Sequence, residues 1–196
     1  MENRRLELRC QYTGVWLGMT DRLTKSDWIE QGLETLARHG PNALKIGALA
    51  AKLTVSRGSF YWHFRDHADF RAQLLASWQE RSTDRIIRDL DAREAERDRL
   101  RDLLRRAFRG SRRLERAIRS WAAEDKDVAT VVASVDARRV AGLGKLLVEA
   151  GVKRDCAMNR AAFLYWAYLG QVLVMHPRYA ALSASALDDI ARLFET

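Results

Sequence analysis

Ser56-Arg57-Gly58-Ser59-Phe60-Tyr61-Trp62-His63-Phe64 is the stretch from which the rest of the chain is read. Phe60 and Phe64 stand one helical turn apart, so they can anchor a short helix to a core and leave its opening residues facing out. On the outward side Arg57 can donate two parallel hydrogen bonds to guanine O6 and N7, Ser59 can touch a base edge or a phosphate, and Gly58 permits close approach. Tyr61, Trp62 and His63 can fix the register by donating to phosphate oxygens and packing on sugars. The free N–H groups at the helix start add attraction for anions.

Working upstream, a short segment from Gly47 to Leu53 turns Leu49, Ala50 and Leu53 inward and reaches the reader through a tight turn at Thr54-Val55. Before it, Thr24-Lys25-Ser26-Asp27 has the pattern of a capping box. It opens a helix to His39 that buries Trp28, Ile29, Leu33, Leu36 and Ala37 and stops at Gly40-Pro41. No acid lies between Glu34 and Asp66, whereas Arg38, Lys45, Lys52, Arg57 and Arg65 do. Such a surface attracts a nucleic-acid duplex by releasing condensed counterions, which gives affinity without sequence preference. The whole chain leans the same way, with 34 Lys+Arg against 26 Asp+Glu and a net charge of +8.

The run Leu49-Ala50-x-Lys52-Leu53-x-Val55-Ser56-x-Gly58-Ser59-Phe60-Tyr61-Trp62-His63-Phe64, after a capped helix ending Leu36-Ala37-Arg38-His39-Gly40-Pro41, resembles the tetracycline-repressor (TetR) family of transcriptional regulators. The resemblance implies that Arg57, Gly58, Ser59 and Tyr61 touch operator DNA, and that Trp62 and His63 contact its backbone. His67 stands where many members carry a phosphate-binding lysine, and Gly47 where some read a base with a side chain. Lys45 completes the expected DNA-binding set. Thr54 occupies a turn position often held by glycine, where a β-branched residue at positive φ is strained.

Downstream, Asp66 and Asp69 cap a linking helix that carries Phe70, Leu74, Leu75 and Trp78 towards Ile86. The arginine-rich run from Arg97 to Arg119, interleaved with acids, reads as a solvated helical face broken at Gly110-Ser111. A long apolar stripe follows, ending at Gly151. Asp155 to Met175 is apolar on more than one side and must be covered all round, and Pro177 stops it. A last helix opens at Ser185, with Asp188 three residues on, and runs to Phe194. These two helices are expected to form a four-helix dimer interface, as the resemblance also implies. Phe108, Trp121, Met158, Tyr165, Trp166, Tyr168, Met175 and His176 are the candidates to line an apolar effector pocket.

Other functional classes find no support in the chain. Cys10 and Cys156 cannot build a disulfide framework and lack CxxC spacing, which favours a reducing cytoplasm. No apolar run has membrane-spanning length, and the first residues do not form a signal core. There is no nucleophile elbow, HExxH or phosphate loop, so no enzyme is expected. His63 and His67 lie four apart, but Arg65-Asp66 interrupts the helix and no third ligand is evident, so neither metal nor cofactor is expected. The expectation is an all-α protein: an N-terminal extension over 1–22, a three-helix helix-turn-helix DNA-binding domain over 23–66, and a regulatory and dimerisation domain over 67–196. Its expected function is that of a cytoplasmic homodimeric repressor of a palindromic double-stranded operator, released when a small effector binds. The alternative is a non-specific DNA-binding or helical adaptor protein without an effector.

Overall fold

The computed structural model describes residues 23–93, 98–110, 112–174, 176 and 181–195. The chain is all-α, with no strand among the described residues. Helix α1 (Lys25–His39) starts where the capping box places it: Thr24 Oγ1 accepts from the Asp27 amide at 3.3 Å and Asp27 Oδ2 accepts from the Thr24 amide at 2.6 Å. Gly40, at φ +75°, ends the helix. Helices α2 (Ile46–Lys52) and α3 (Arg57–Tyr61) follow.

The side chains of Trp28, Phe60, Phe64 and Phe70 form an aromatic knot, with ring centroids 4.9–5.4 Å apart and mostly edge-to-face. It fixes α3 by one face against α1 and α4 (His67–Gln79). Helix α4 leans closely on α1 because Gly32 lacks a side chain: a Cβ there would lie 2.7 Å from both Phe70 Cζ and Leu74 Cδ2.

Asp66 caps α4 by accepting from the Asp69 amide at 2.8 Å. The helix then continues through a wider π turn (Glu80–Asp84) into α5 (Arg85–Asp91). Packing is continuous across residue 66. The core around Trp28 also contains Leu74, Leu75 and Trp78, together with Ile118 and Trp121 of α7 (Arg113–Glu124) and Val128, Val132 and Val135 of α8 (Lys126–Glu149). A second core joins α6 (Arg99–Arg109), the far half of α8, α9 (Arg154–Leu173) and α10 (Ala184–Glu195) around Leu104, Leu147, Ala161, Leu164 and Leu187.

Two expectations change in this half. The arginine-rich run is not wholly wet: Arg99 is buried against Glu149 at 2.7 Å, and Glu115 and Arg119 lie inside. On α9, Phe163 and Trp166 are 59% and 67% exposed in the single chain. Helix α10 is opened not by Ser185 but by Ser183, whose hydroxyl accepts from the Ala186 amide at 3.1 Å. Asp188 instead takes Arg105 Nε at 2.8 Å and Nη2 at 2.6 Å, tying α10 to α6. Residues 1–22, Met175 and Pro177 lie outside the described residues. No helix among those described is long and apolar enough to cross a membrane.

The bare Gly32 face gives the first test. Gly32→Val puts branched methyls where two core side chains already sit, and is expected to cost about 1–3 kcal/mol in denaturant unfolding. An unchanged midpoint would show that α1 and α4 have slack between them.

Candidate nucleic-acid interface and regulatory cavity

The helix-turn-helix is built from α2, a turn and α3. Thr54 sits in the turn at φ +58°, the left-handed region where a β-branched side chain is strained. The turn is held because the Val55 amide reaches Ala50 O at 3.0 Å and the Thr54 amide reaches Ala51 O at 3.2 Å. Ser56 is the N-cap residue of α3, but its side chain makes no capping bond. With Phe60 and Phe64 turned into the knot, Arg57, Gly58, Tyr61 and Trp62 face outwards, Trp62 being 88% exposed, while Ser59 is half-buried. Trp62 and the neighbouring Tyr61, 60% exposed, make up the apolar part of this outer face.

Arg57 is positioned by a residue that the sequence marks only as a missing contact. A Cβ on Gly47 would stand 2.8–3.1 Å from Arg57 Nη2, Nε and Cζ, so the guanidinium lies over the first turn of α2 in space that glycine leaves open. Lys45, at the N-cap of α2, is exposed beside it. Lys45 and Arg57 have no carboxylate partner among the described residues, whereas Arg38 pairs with Glu34 at 2.7 Å and Arg65 approaches Asp69 at 3.9 Å. Lys52 donates to Thr35 Oγ1 at 3.2 Å. The charge without a carboxylate partner among the described residues is therefore narrower than the acid-free stretch suggests and comprises Lys45, Lys52 and Arg57.

The two histidines are engaged from within. His63 Nε2 bonds to Leu23 O at 3.1 Å and His67 Nε2 to Leu44 O at 2.5 Å, and both rings are half-buried. Facing a carbonyl, each Nε2 carries the proton, which leaves Nδ1 as the free ring nitrogen. His63 ties the entry of α1 to α3, and His67 ties α4 to the residue before α2. No metal-binding cluster of His, Cys, Asp or Glu occurs among the described residues.

The family model for bacterial regulatory proteins of the tetR family matches residues 29–74, from α1 to α4. The N-terminal part of the chain is therefore similar to the bacterial regulatory proteins of the tetR family. The chain is a DNA-binding transcriptional regulator, and the exposed side of α3 lies within the matched segment. A search of the curated proteins finds no match.

Behind the head lies a cavity of about 290 Å³. It is bounded by Trp78, the π turn and α5 on one side and by α6, α7, α8 and α9 on the others. Of the expected pocket residues, Phe108, Tyr165 and Tyr168 line it. Trp121 instead lies under the Arg71 guanidinium, 4.7 Å from ring centroid to Cζ, in the core shared with the head. Met158 packs its sulfur over Gly144, and Trp166 and His176 are exposed, so these three do not line it. Met175 lies outside the described residues.

One wall of the cavity is polar and fully paired. Glu115 accepts from Trp78 Nε1 at 3.2 Å, from Arg119 Nε at 2.9 Å and from Arg139 Nη1 at 2.9 Å. Arg119 and the Tyr165 hydroxyl both reach Asp136 Oδ1 at 2.6 Å, and Arg139 also bonds Thr83 Oγ1 at 2.9 Å and Ser82 Oγ at 3.0 Å. Two arginines thus balance two carboxylates. Burial pushes the Tyr165 phenol up and the Tyr168 phenol up to about 12, so both stay protonated at neutral pH. Spacing along the sequence carries no signal for this network, because its members come from four helices.

Thr54 supplies the second test. Thr54→Gly removes the left-handed strain but adds freedom to the unfolded chain, so a net stabilisation of up to about 1 kcal/mol is expected in chemical denaturation. A loss of stability would mean that the threonine side chain itself holds the turn.

Proposed function

We propose that the chain is a homodimeric repressor of a palindromic operator, released from DNA when a small molecule occupies the cavity. The observation that carries this reading is the continuity of α4, the π turn and α5: the same helical run supplies Phe70 to the aromatic knot and Trp78, Thr83 and Ile86 to the cavity wall. A molecule seated there presses on the rod that carries the head. It can shift the population of head orientations by as much as its affinities for them differ.

Support for a dimer comes from α9 and α10. Phe163, Trp166 and Gly170 recur at helical spacing on one face of α9, and nothing lies within 4 Å of a Cβ built on Gly170, which leaves room for close helix approach. Phe163 stacks on Phe194 at 6.0 Å, and the neighbouring Leu193 is 70% exposed, so the two helices offer one apolar surface. A second copy covers such a surface by two-fold symmetry, pairing two readers for half-sites about 34–36 Å apart or a multiple of that.

Enrichment from a random duplex pool is expected to return an inverted repeat, and enrichment without symmetry would favour the non-specific reading. On the selected site Arg57→Ala is expected to cost about 1–3 kcal/mol and to relax preference at one base pair. Equal losses on every sequence would reduce Arg57 to a phosphate contact. Trp166→Asp is expected to sediment as a monomer and to lose tight operator binding; a persistent dimer would move the interface elsewhere.

A further inference from the structure

We infer that the cavity takes an apolar carboxylic acid, its carboxylate held by Arg112 and Tyr168; this rests on the reading of the cavity as an effector site. Most of the wall is hydrocarbon, supplied by residues such as Ile86, Leu90, Leu103, Leu104, Leu143 and Leu146. An apolar body is therefore favoured by burial alone. What selects among apolar molecules is the polar capacity left over once the protein's own pairings are made.

Glu115 offers none. Its carboxylate is saturated by Trp78, Arg119 and Arg139, so it cannot draw an ammonium group without breaking a buried ion pair. Arg139 is consumed by the same network. Arg106 faces Asp89 at 3.6 Å, and Lys145 reaches Asp91 at 2.7 Å.

Arg112 differs from all of these. Its guanidinium has no carboxylate partner among the described residues, and Nη2 is spent on a backbone carbonyl, Phe108 O at 2.5 Å. Its Nε is buried without any partner. Of the buried side-chain nitrogens and oxygens in that condition among the described residues, it alone belongs to a residue of the cavity wall. A buried donor left unmade is costly, and a ligand acceptor that draws the Arg112 guanidinium towards the cavity removes that cost.

The second donor lies close by. Tyr168 lines the cavity, and its ring meets that of Phe108 edge-on at 6.2 Å, so the residue whose carbonyl holds Arg112 also packs on Tyr168. The Tyr168 hydroxyl makes no hydrogen bond among the described residues, unlike that of Tyr165, which is committed to Asp136. One unpaired guanidinium beside one free phenol matches a group with a single negative charge and two acceptor oxygens. A neutral tail with an alcohol head meets only part of that demand. An amine brings a like charge to Arg112.

The test compares three probes of one chain length, decanoate, decanol and decylamine, by calorimetry on the purified full-length protein below their micellar concentrations. Decanoate is expected to bind at least about tenfold tighter than decanol, with decylamine weakest. Arg112→Gln is expected to erase the preference for decanoate while leaving decanol affinity within about twofold. Tyr168→Phe, which keeps the ring, is expected to reduce that preference by about three- to tenfold and covers the case in which the arginine variant does not fold. Equal affinities for decanoate and decanol, or a preference for decylamine, would overturn the assignment. So would failure of all three probes to bind, and if that same protein still bound its operator, the regulator reading would survive while the ligand class fell.

Discussion

The Glu115 carboxylate, 5% exposed, receives donors from three helices: Trp78 on α4, Arg119 on its own α7 and Arg139 on α8. A charge so placed is tolerated only while its partners stay in position, because removing one leaves an ion in the interior at a cost of about 3–5 kcal/mol. Helices α4, α7 and α8 are therefore not free to slide independently. Asp136 and Tyr165 extend the constraint to α9, and Thr83 and Ser82 extend it to the π turn. The widened turn falls where the helical run must present both residues to Arg139. In this way the rod leaving the DNA-binding head is registered against the helices behind it by polar bonds rather than by apolar contact alone.

The head has its own constraint, and it acts through geometry. Three rings packed around Phe60 leave α3 only one way to lie, with Tyr61 and Trp62 outward. Gly47 then determines where Arg57 goes, since any larger residue would occupy the space of the guanidinium. His63 and His67 brace the unit by bonds to the backbone, which gives the short α3 a firm seat. Arg71 connects the two constraints: it leaves α4, crosses the face of Trp121 and pairs with Asp125, the residue whose carboxylate caps α8. The amide of Val128 at that cap, with the Arg71 guanidinium beside it, holds the Asp125 carboxyl below its usual range, so the cap stays charged through mild acid.

Local chemistry was legible in the sequence wherever a few neighbouring residues decide the outcome. The bounds of α1, the Asp66 cap, the inward pair Phe60 and Phe64, and the strained Thr54 all depend on contacts within a turn or two. The arginine-rich stretch was not legible, because charge density along a chain looks the same whether an arginine meets water or a carboxylate from another helix. Arg119 and Glu115 are i,i+4 neighbours that any surface helix could carry, and only Asp136, Arg139 and Trp78 from elsewhere make them interior. Two of the expected pocket aromatics, Trp121 and Trp166, lie elsewhere for a related reason. Helical spacing identifies Trp121 and Trp166 as apolar-face residues but does not say whether that face meets the head, the cavity or something outside the chain.

The central claim is that the state of the cavity is felt at the DNA-binding face through the α4 to α5 run. Filling the cavity from within tests it without a ligand: Ala107→Trp places an indole into the space from the α6 wall. The account expects a protein that still unfolds cooperatively and stays dimeric but binds its selected operator at least about tenfold more weakly, the size of an ordinary allosteric coupling. Operator affinity equal to that of the parent, in a variant whose folded state and filled cavity are verified, would contradict it.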